Sequence, residues 1–362
     1  MAKNKERKKR KFKWRVFCIV MACLLTVYLV FALLPKHKCV ADGENMFIIE
    51  QGSKPLLIAH GGGHGEFPDN TLEACYNAYS VDPNVMLEMD VSKTKDNVII
   101  MSHDTTLNRR TSANGAIADW NYTDLVSQKV DFGYLNEDEN ENLLDEKIKY
   151  KDFYGKEVTP RDVPGYPNGL PGRDPEIFKV TTLEDVLRAF PHNTVNVEIK
   201  QSGEIGMDAL RLVIELMDKL KAEFADKPDE MTNPYERVVL ASFHNKIYKE
   251  LKNIQKTTHP ELMCSPEYVG VGTLLISGAL GLDALYSEPV AVLQIPMNLS
   301  IIHLDKAWFV EVAHSHNIAV HYWTIDKEDD MRYLIKIGAD GIMTNLPHTL
   351  QKVYEEEFNL QK

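Results

Sequence analysis

Residues 85–103 read VMLEMDVSKTKDNVIIMSH, two apolar runs separated by the polar segment Ser-Lys-Thr-Lys-Asp-Asn at 92–97. Each run has the Val, Ile, Leu and Met content of a strand buried on both faces. Six residues cannot form a parallel crossover, which needs a dozen or more. The second run, 98–103, therefore turns back on the first, 85–91, as an antiparallel arm. That reading sets how the remaining strands are counted.

Working outward, short apolar runs recur at 56–60, 85–91, 195–200, 238–243, 262–265, 290–295, 319–324 and 341–344. Segments with helical spacing separate them at 71–80, 183–189, 207–224, 245–254, 271–280, 306–316 and 327–337. With 98–103 set aside as an arm, the alternation predicts an α/β fold, a closed parallel (β/α)8 TIM barrel. An open doubly wound sheet is the alternative. Its glycine-rich turn would lead straight into a helix, and His60-Gly61-Gly62-Gly63-His64-Gly65 does not. Residues 104–181, rich in Asn, Asp, Gly and Pro, interrupt the barrel after the arm. They read as a long inserted excursion of the kind that forms lids or binding loops, and not as a second stable core. Within them the acidic run 136–141 reads as a solvated loop.

The 362-residue chain has a formal net charge of −12, yet residues 1–15 hold nine Lys or Arg against the single Glu6. The rest is more acidic than the total suggests and makes a poor partner for phosphate backbones, so nucleic-acid binding is excluded. Residues 16–34, VFCIVMACLLTVYLVFALL, carry no charge. At ~1.5 Å per residue they cover about 28 Å, the thickness of a bilayer's hydrocarbon core. They read as a transmembrane signal anchor, with the basic segment 1–15 in the cytoplasm and everything from residue 35 outside. A cleaved secretory signal, with Cys39 and Ala41 at −3 and −1, and a buried core helix are the alternatives. No small-residue lipobox precedes Cys39. Residues 35–54 read as a linker, 55–355 as the barrel domain and 356–362 as a tail. Five cysteines without a CxxC pair exclude a zinc ribbon, a redox dithiol or a disulfide framework. Cys18 and Cys23 read as lipid-facing, Cys75 and Cys264 as buried thiols.

Barrel enzymes place their chemistry where the strands end. The ends carry, in order, His60, then Glu88 and Asp90, then His103 on the arm, then Glu198 and Lys200. Spacing i, i+2 in a strand puts both side chains on one face, so Glu88 converges with Asp90 and Glu198 with Lys200. Three such carboxylates repel one another and rise in pKa unless a cation sits among them. Oxygen-only ligands suit Ca2+ or Mg2+, not zinc. A purely structural ion-pair network with Lys200 is the competing reading. The two imidazoles titrate near neutrality, so one can take a proton from an attacking oxygen while the other gives one to a leaving oxygen. A divalent cation, a lysine and an acid/base pair together describe a site for phosphodiester cleavage. His64, His244, His321 and His348 read as structural or surface residues. Asn70 reads as a helix N-cap with Glu73 at the capping-box position. Trp323 reads as core or as pocket wall.

The segments LLIAHGGGHGEFPDNT, LEMDVSKTKDNVIIMSHDTTLNRRT, VTTLEDVLRAFPHNTVNVEIK, VLASF and HYWTIDKEDDMRYLIKIGADGIMTNLP, in that order, resemble the successive motifs of the glycerophosphodiester phosphodiesterases. The resemblance runs from about residue 55 to 350. It implies a TIM barrel, a divalent cation, usually Ca2+ or Mg2+, and hydrolysis of a glycerophospho-alcohol to glycerol 3-phosphate and the free alcohol. It further implies that Glu88, Asp90 and Glu198 bind metal, His60 and His103 act as acid and base, Lys200 contacts the phosphate and Trp323 lines the pocket. In the implied course a neighbouring glycerol hydroxyl attacks phosphorus, and water then opens the cyclic phosphate. One position departs from the pattern: the family has Arg after the first histidine, and this chain has Gly61. Lys200, the metal, Arg109 or the amides of Gly61–Gly63 are candidates to replace that contact. With an anchor, the substrate is a glycerophosphodiester, a lysophospholipid or an envelope glycerophosphate polymer. A glycoside hydrolase would account for neither the histidines nor Lys200. A tethered binding protein that has lost catalysis is favoured only by Gly61.

Overall fold

Eight parallel strands form the barrel: β1 (Leu56–Ala59), β2 (Met86–Lys93), β3 (Val195–Ile199), β4 (Val238–Ala241), β5 (Met263–Cys264), β6 (Val292–Ile295), β7 (Ala319–Tyr322) and β8 (Gly341–Thr344). They pair in the order β5-β4-β3-β2-β1-β8-β7-β6. At the remaining seam the Ala291 N–H donates to the Cys264 carbonyl at 3.0 Å, next to the ends of β5 and β6. The computed structural model describes residues 2–38, 45–137, 143–165 and 172–358. The arm Ile99–Met101 runs antiparallel to β2, with Val91 opposite Met101 and Lys93 opposite Ile99.

A helix follows every strand. Seven correspond to the expected segments, and the eighth, Pro347–Glu357, was not anticipated. Its signals are present: Pro347 in the first turn, and buried Leu350, Val353 and Tyr354 at helical spacing. It runs past residue 355, so the expected tail begins inside it; residues 359–362 lie outside the described residues.

Strand periodicity sorts the barrel's two faces. Leu57, Ala59, Leu87, Met89, Val195 and Val197 point outward and pack under the helices in the main apolar core. The opposite positions, Ile58, Met86, Val239, Val292, Ala319 and Met343, fill the interior around Phe47. Phe47 belongs to the stretch expected as a linker, yet it is fully buried at the base of the barrel. Asn45 fastens it there by donating to the carbonyls of Ala291 at 2.6 Å and Asn317 at 3.0 Å. His321 lies in the same interior, edge-on to Phe47 at 6.0 Å between ring centroids. Burial pushes its pKa down to about 4, so it is a neutral filler. A Cβ on the facing Gly341 would sit 2.6 Å from the His321 ring, which explains a glycine within a strand.

Buried polar groups tie helices to strands. Arg237 is fully buried at the entry to β4. Its guanidinium donates to the carbonyls of Leu187, Phe190, Asn193 and Thr232 at 2.9–3.2 Å, satisfying the end of helix Leu183–Ala189. The excursion differs from expectation. Leu107, Ile117, Leu125, Phe132 and Phe178 form an apolar cluster of their own, built onto Phe67 and Ile100 of the barrel. Their irregular spacing hides this core from periodicity. A bidentate pair between buried Arg173 and Glu73, at 2.9 and 3.0 Å, clamps the excursion to helix Leu72–Val81. Glu73 is thus not a capping-box partner. Thr71, not Asn70, caps that helix by accepting from the Ala74 N–H at 3.2 Å. Part of the acidic run 136–141 and part of the proline-rich segment lie outside the described residues.

At the amino terminus, helix Ala2–Ala32 contains a stretch, Arg10–Ala32, of mean hydropathy 2.3 that is long and apolar enough to cross a membrane. None of it is buried against the rest of the chain, which sets aside a core helix. It meets the barrel where the Tyr28 hydroxyl donates to the Leu280 carbonyl at 3.0 Å, and Lys36 follows with an ion pair to Asp283 at 2.6 Å. Cys39 and Ala41 lie outside the described residues.

Candidate active site

The interior face of β2 changes character along its length, from Met86 to Glu88 to Asp90. Asp90 pairs in register with Glu198 on β3, and Glu88 with Asn196. Glu88, Asp90 and Glu198 consequently meet at the C-terminal mouth, each with a carboxylate oxygen within 4.8 Å of the others. Lys200 Nζ lies 3.0 Å from Asp90 Oδ1 and 3.0 Å from Glu198 Oε1. Those two carboxylates hold the Lys200 pKa above its ordinary value against the opposing effect of burial. One lysine does not neutralise three acids. Burial, and then Asp90, push Glu88 up to about 7, and burial raises Glu198 as well. The Gly61 N–H, donating to Glu88 Oε2 at 2.9 Å, is the neutral compensation. An oxygen-only cluster left under-neutralised fits a hard divalent cation. Lys200, expected at the phosphate, is bound to two of the acids while also lining the cavity.

Asn70 grips Asp90 at both ends. It accepts from the Asp90 backbone N–H at 2.8 Å and donates to Asp90 Oδ2 at 3.0 Å. To reach it, Asn70 adopts a left-handed φ of 59°, a conformation asparagine tolerates.

The two histidines are each held by Nδ1. His60 Nδ1 lies 2.7 Å from Asn345 Oδ1, and the Asn345 amide group donates to Asp326 Oδ2 at 2.8 Å. That chain makes Nδ1 the protonated nitrogen and leaves Nε2 facing Glu88 Oε2 at 3.9 Å. Burial works to lower the His60 pKa, but Glu88, Asn345 and Asp90 outweigh it. His103 Nδ1 is 3.1 Å from Asp104 Oδ1, and this bond raises the His103 pKa over the opposing effect of burial. Arg109, expected at the phosphate, has its guanidinium on Asp104, at 2.8 Å from Oδ2 and 2.6 Å from Oδ1. It is absent from the cavity wall, and its Nη2 also lies 3.4 Å from His103 Nδ1.

Gly61 explains the departure from the family motif. Its φ is 55°, and a Cβ would sit 3.0 Å from Asp69 Cβ, so an arginine there would be strained in this loop conformation. Its amide is committed to Glu88.

The cavity has a volume of about 280 Å³. His60, Glu88, His103, Glu198 and Lys200 line one side. Ala241, Phe243, Pro266, Gln294 and Trp323 line the other, and Trp323 packs edge-on to Phe243 at 6.1 Å. Asn345, Asp326, Asp104 and Asn70 were not assigned to the site from sequence. Only Asp104, beside His103, carried a local signal. His64 and His348 pair with Asp69 and Glu66, and His244 with the Lys200 carbonyl, away from the acid cluster.

The description of the glycerophosphoryl diester phosphodiesterase family matches residues 60–349. The chain is 26% identical over 304 residues to the glycerophosphodiester phosphodiesterase of Caldanaerobacter subterraneus subsp. tengcongensis, covering 82% of this chain and 96% of that protein. It is 24% identical over 316 residues to lysophospholipase D GDPD1 of Rattus norvegicus, covering 82% and 84%. The glycerophosphoryl diester phosphodiesterase domain of a Mycobacterium tuberculosis protein shares the fold at TM-score 0.57 and 16% identity, over 83% of this chain and 99% of that one. An Oleispira antarctica phosphodiesterase, solved with the product sn-glycerol-3-phosphate, does so at TM-score 0.55 and 18% identity, over 83% and 97%. With a family match spanning the barrel and its strand-end motifs, the chain belongs to the glycerophosphoryl diester phosphodiesterase family and is a phosphoric diester hydrolase.

Proposed function

We propose that the chain hydrolyses glycerophosphodiesters with His60 and His103 as its acid/base pair and a divalent cation, Ca2+ or Mg2+, at Glu88, Asp90 and Glu198. The observation that carries this reading is the pair of imidazoles, each held by Nδ1, on a cavity that also presents the acid cluster and Lys200. A cation held by the three acids would offset charge building on the nonbridging phosphate oxygens. Lys200 adds positive charge on the same side. His60, whose Nδ1 faces a neutral amide oxygen, takes the proton of the attacking glycerol hydroxyl at Nε2. His103, paired with the Asp104 carboxylate, is the better-supported imidazolium and protonates the departing alcohol oxygen. The hydroxyl–phosphorus bond forms as the phosphorus–alcohol bond breaks. Water then attacks the cyclic phosphate, giving its proton to His103, while the bond from phosphorus to the neighbouring glycerol oxygen breaks and that oxygen takes the proton held by His60, so that glycerol 3-phosphate leaves.

Nine cationic residues before the uncharged stretch 16–34, and only Lys36 and Lys38 soon after it, support a barrel on the outer side of the cytoplasmic membrane. A lysophospholipid substrate is the second reading, favoured by the membrane-length helix and by similarity to a lysophospholipase D. Incubating the full chain with glycerophosphocholine and glycerophosphoethanolamine should release glycerol 3-phosphate and the free alcohol. Failure to turn over any glycerophosphodiester, with or without an acyl chain, would instead favour the tethered binding protein.

A further inference from the structure

Three residues of the cavity wall, Phe243, Pro266 and Gln294, also line a second space. It is an apolar crevice of about 120 Å³ between helix Tyr268–Ala279 and a short antiparallel ribbon, Asn298–Leu299 paired with Ile302–His303. Val271 and Ile276 wall it from the helix, Leu299 and Ile302 from the ribbon. The helix reads YVGVGTLLISGA, without a charge, whereas the preceding barrel helix, Asn245–Thr257, is rich in lysine. A solvent-facing barrel helix ordinarily carries a polar outer stripe. This one leaves Ile276 63% exposed, and across the crevice the ribbon tip leaves Ile301 90% exposed. Contiguous exposed apolar surface of this kind marks a binding site. Gly272 lines the crevice in mid-helix, and a Cβ there would have nothing within 4 Å. The space in front of it is open.

We propose that this crevice holds the acyl chain of a monoacyl glycerophosphodiester whose phosphate lies over the acid/base pair. The proposal rests on the phosphodiesterase reading above and specifies its substrate. The shared wall of Phe243, Pro266 and Gln294 places an occupant of the crevice next to a substrate in the cavity. Its mostly apolar walls and volume of about 120 Å³ suit a hydrocarbon chain. The far end of the same helix meets the membrane-length helix through Tyr28 and the Leu280 carbonyl, so the crevice wall is joined to the segment that would bring the enzyme to lipid. Attack by a neighbouring hydroxyl requires that glycerol oxygen to be free, which admits one acyl chain and not two.

The test uses the full chain in nanodiscs. Turnover of glycerophosphocholine is compared with that of its hexanoyl, octanoyl and decanoyl monoacyl derivatives, each below its micelle threshold. Partial burial of each added methylene should raise kcat/KM by about tenfold or more across the series. Gly272→Phe, which sets a ring on the crevice wall where an added Cβ meets nothing within 4 Å, should abolish that rise while leaving glycerophosphocholine turnover within about twofold of the parent. Ile302→Asp, on the exposed ribbon, should do the same and guards against a folding defect in the first variant. A flat chain-length series, or a rise that survives both substitutions, overturns the acyl crevice while glycerophosphodiester hydrolysis stands. A flat series in a protein that dimerises through this face, and becomes monomeric with Ile302→Asp, assigns the crevice to a second copy and also overturns it. Loss of all turnover, glycerophosphocholine included, overturns the phosphodiesterase reading and the crevice's role with it.

Discussion

The two sides of the cavity are built differently. Strands β1 to β3 and the arm supply the charged side, where each side chain is fixed by a partner: Asn345 for His60, Asp104 for His103, Asn70 for Asp90 and Gly61 for Glu88. Strands β4 to β7 and the residues just after them supply an uncharged side, where Ala241, Phe243, Pro266 and Trp323 alternate with Ser242, Ser265, Gln294 and Thr324. Under the proposed mechanism the charged side sets the reaction and tolerates little change. Under the same proposal the uncharged side sets what else the substrate carries and should tolerate much more.

Substitutions on the charged side therefore have the largest effects. His60→Ala and His103→Ala should each lower kcat by about 10²–10⁴-fold. Titration calorimetry should show cation binding retained, because neither imidazole belongs to the acid cluster. A variant that stays active ends that residue's acid/base assignment.

A smaller effect is expected one step out. Asp104→Asn removes the carboxylate that raises the His103 pKa. The alkaline limb of the kcat/KM profile should move to lower pH, with a loss on the order of tenfold above neutrality and less below it. An unmoved profile would show that Asp104 does not act through His103.

The same side also controls stability. The folded pKa of Glu88 is raised from 4.5 to about 7, so the native state binds that proton more tightly than the unfolded chain. Its contribution is fully present below pH 4.5 and is lost as pH rises through about 7. With chelator present, unfolding free energy should fall by on the order of 1–3 kcal/mol between those limits. Added Ca2+ or Mg2+ should remove that fall, and denaturant melts across the range check it. Smallest of all, Trp323→Ala on the uncharged side should raise KM by about three- to tenfold with little change in kcat. A collapse in kcat would place Trp323 with the charged side.

The sequence shows these two sides unequally. The strands were visible because a barrel strand is buried on both faces, and Glu88, Asp90, Glu198 and Lys200 because polar residues at alternate positions stand out in such runs. The strands stop earlier than their apolar runs suggest, since Phe243 and Trp323 turn into the cavity. What supports the catalytic groups was hidden by distance along the chain. Asn345 reaches His60 across 285 residues, and no period announces such a bond. Phe47 looked like linker because its partners, across the base of the barrel, come from strands far along the chain. Arg109 shows the opposite failure: its charge suggested phosphate, and only the fold reveals that Asp104 takes it.

The most direct test of the charged side is turnover of glycerophosphocholine by the full chain before chelation, after EDTA, and after Ca2+ or Mg2+ is restored. Activity should vanish with EDTA and return with the cation, with glycerol 3-phosphate as product. Undiminished turnover in EDTA would contradict the claim that Glu88, Asp90 and Glu198 hold a cation the reaction needs.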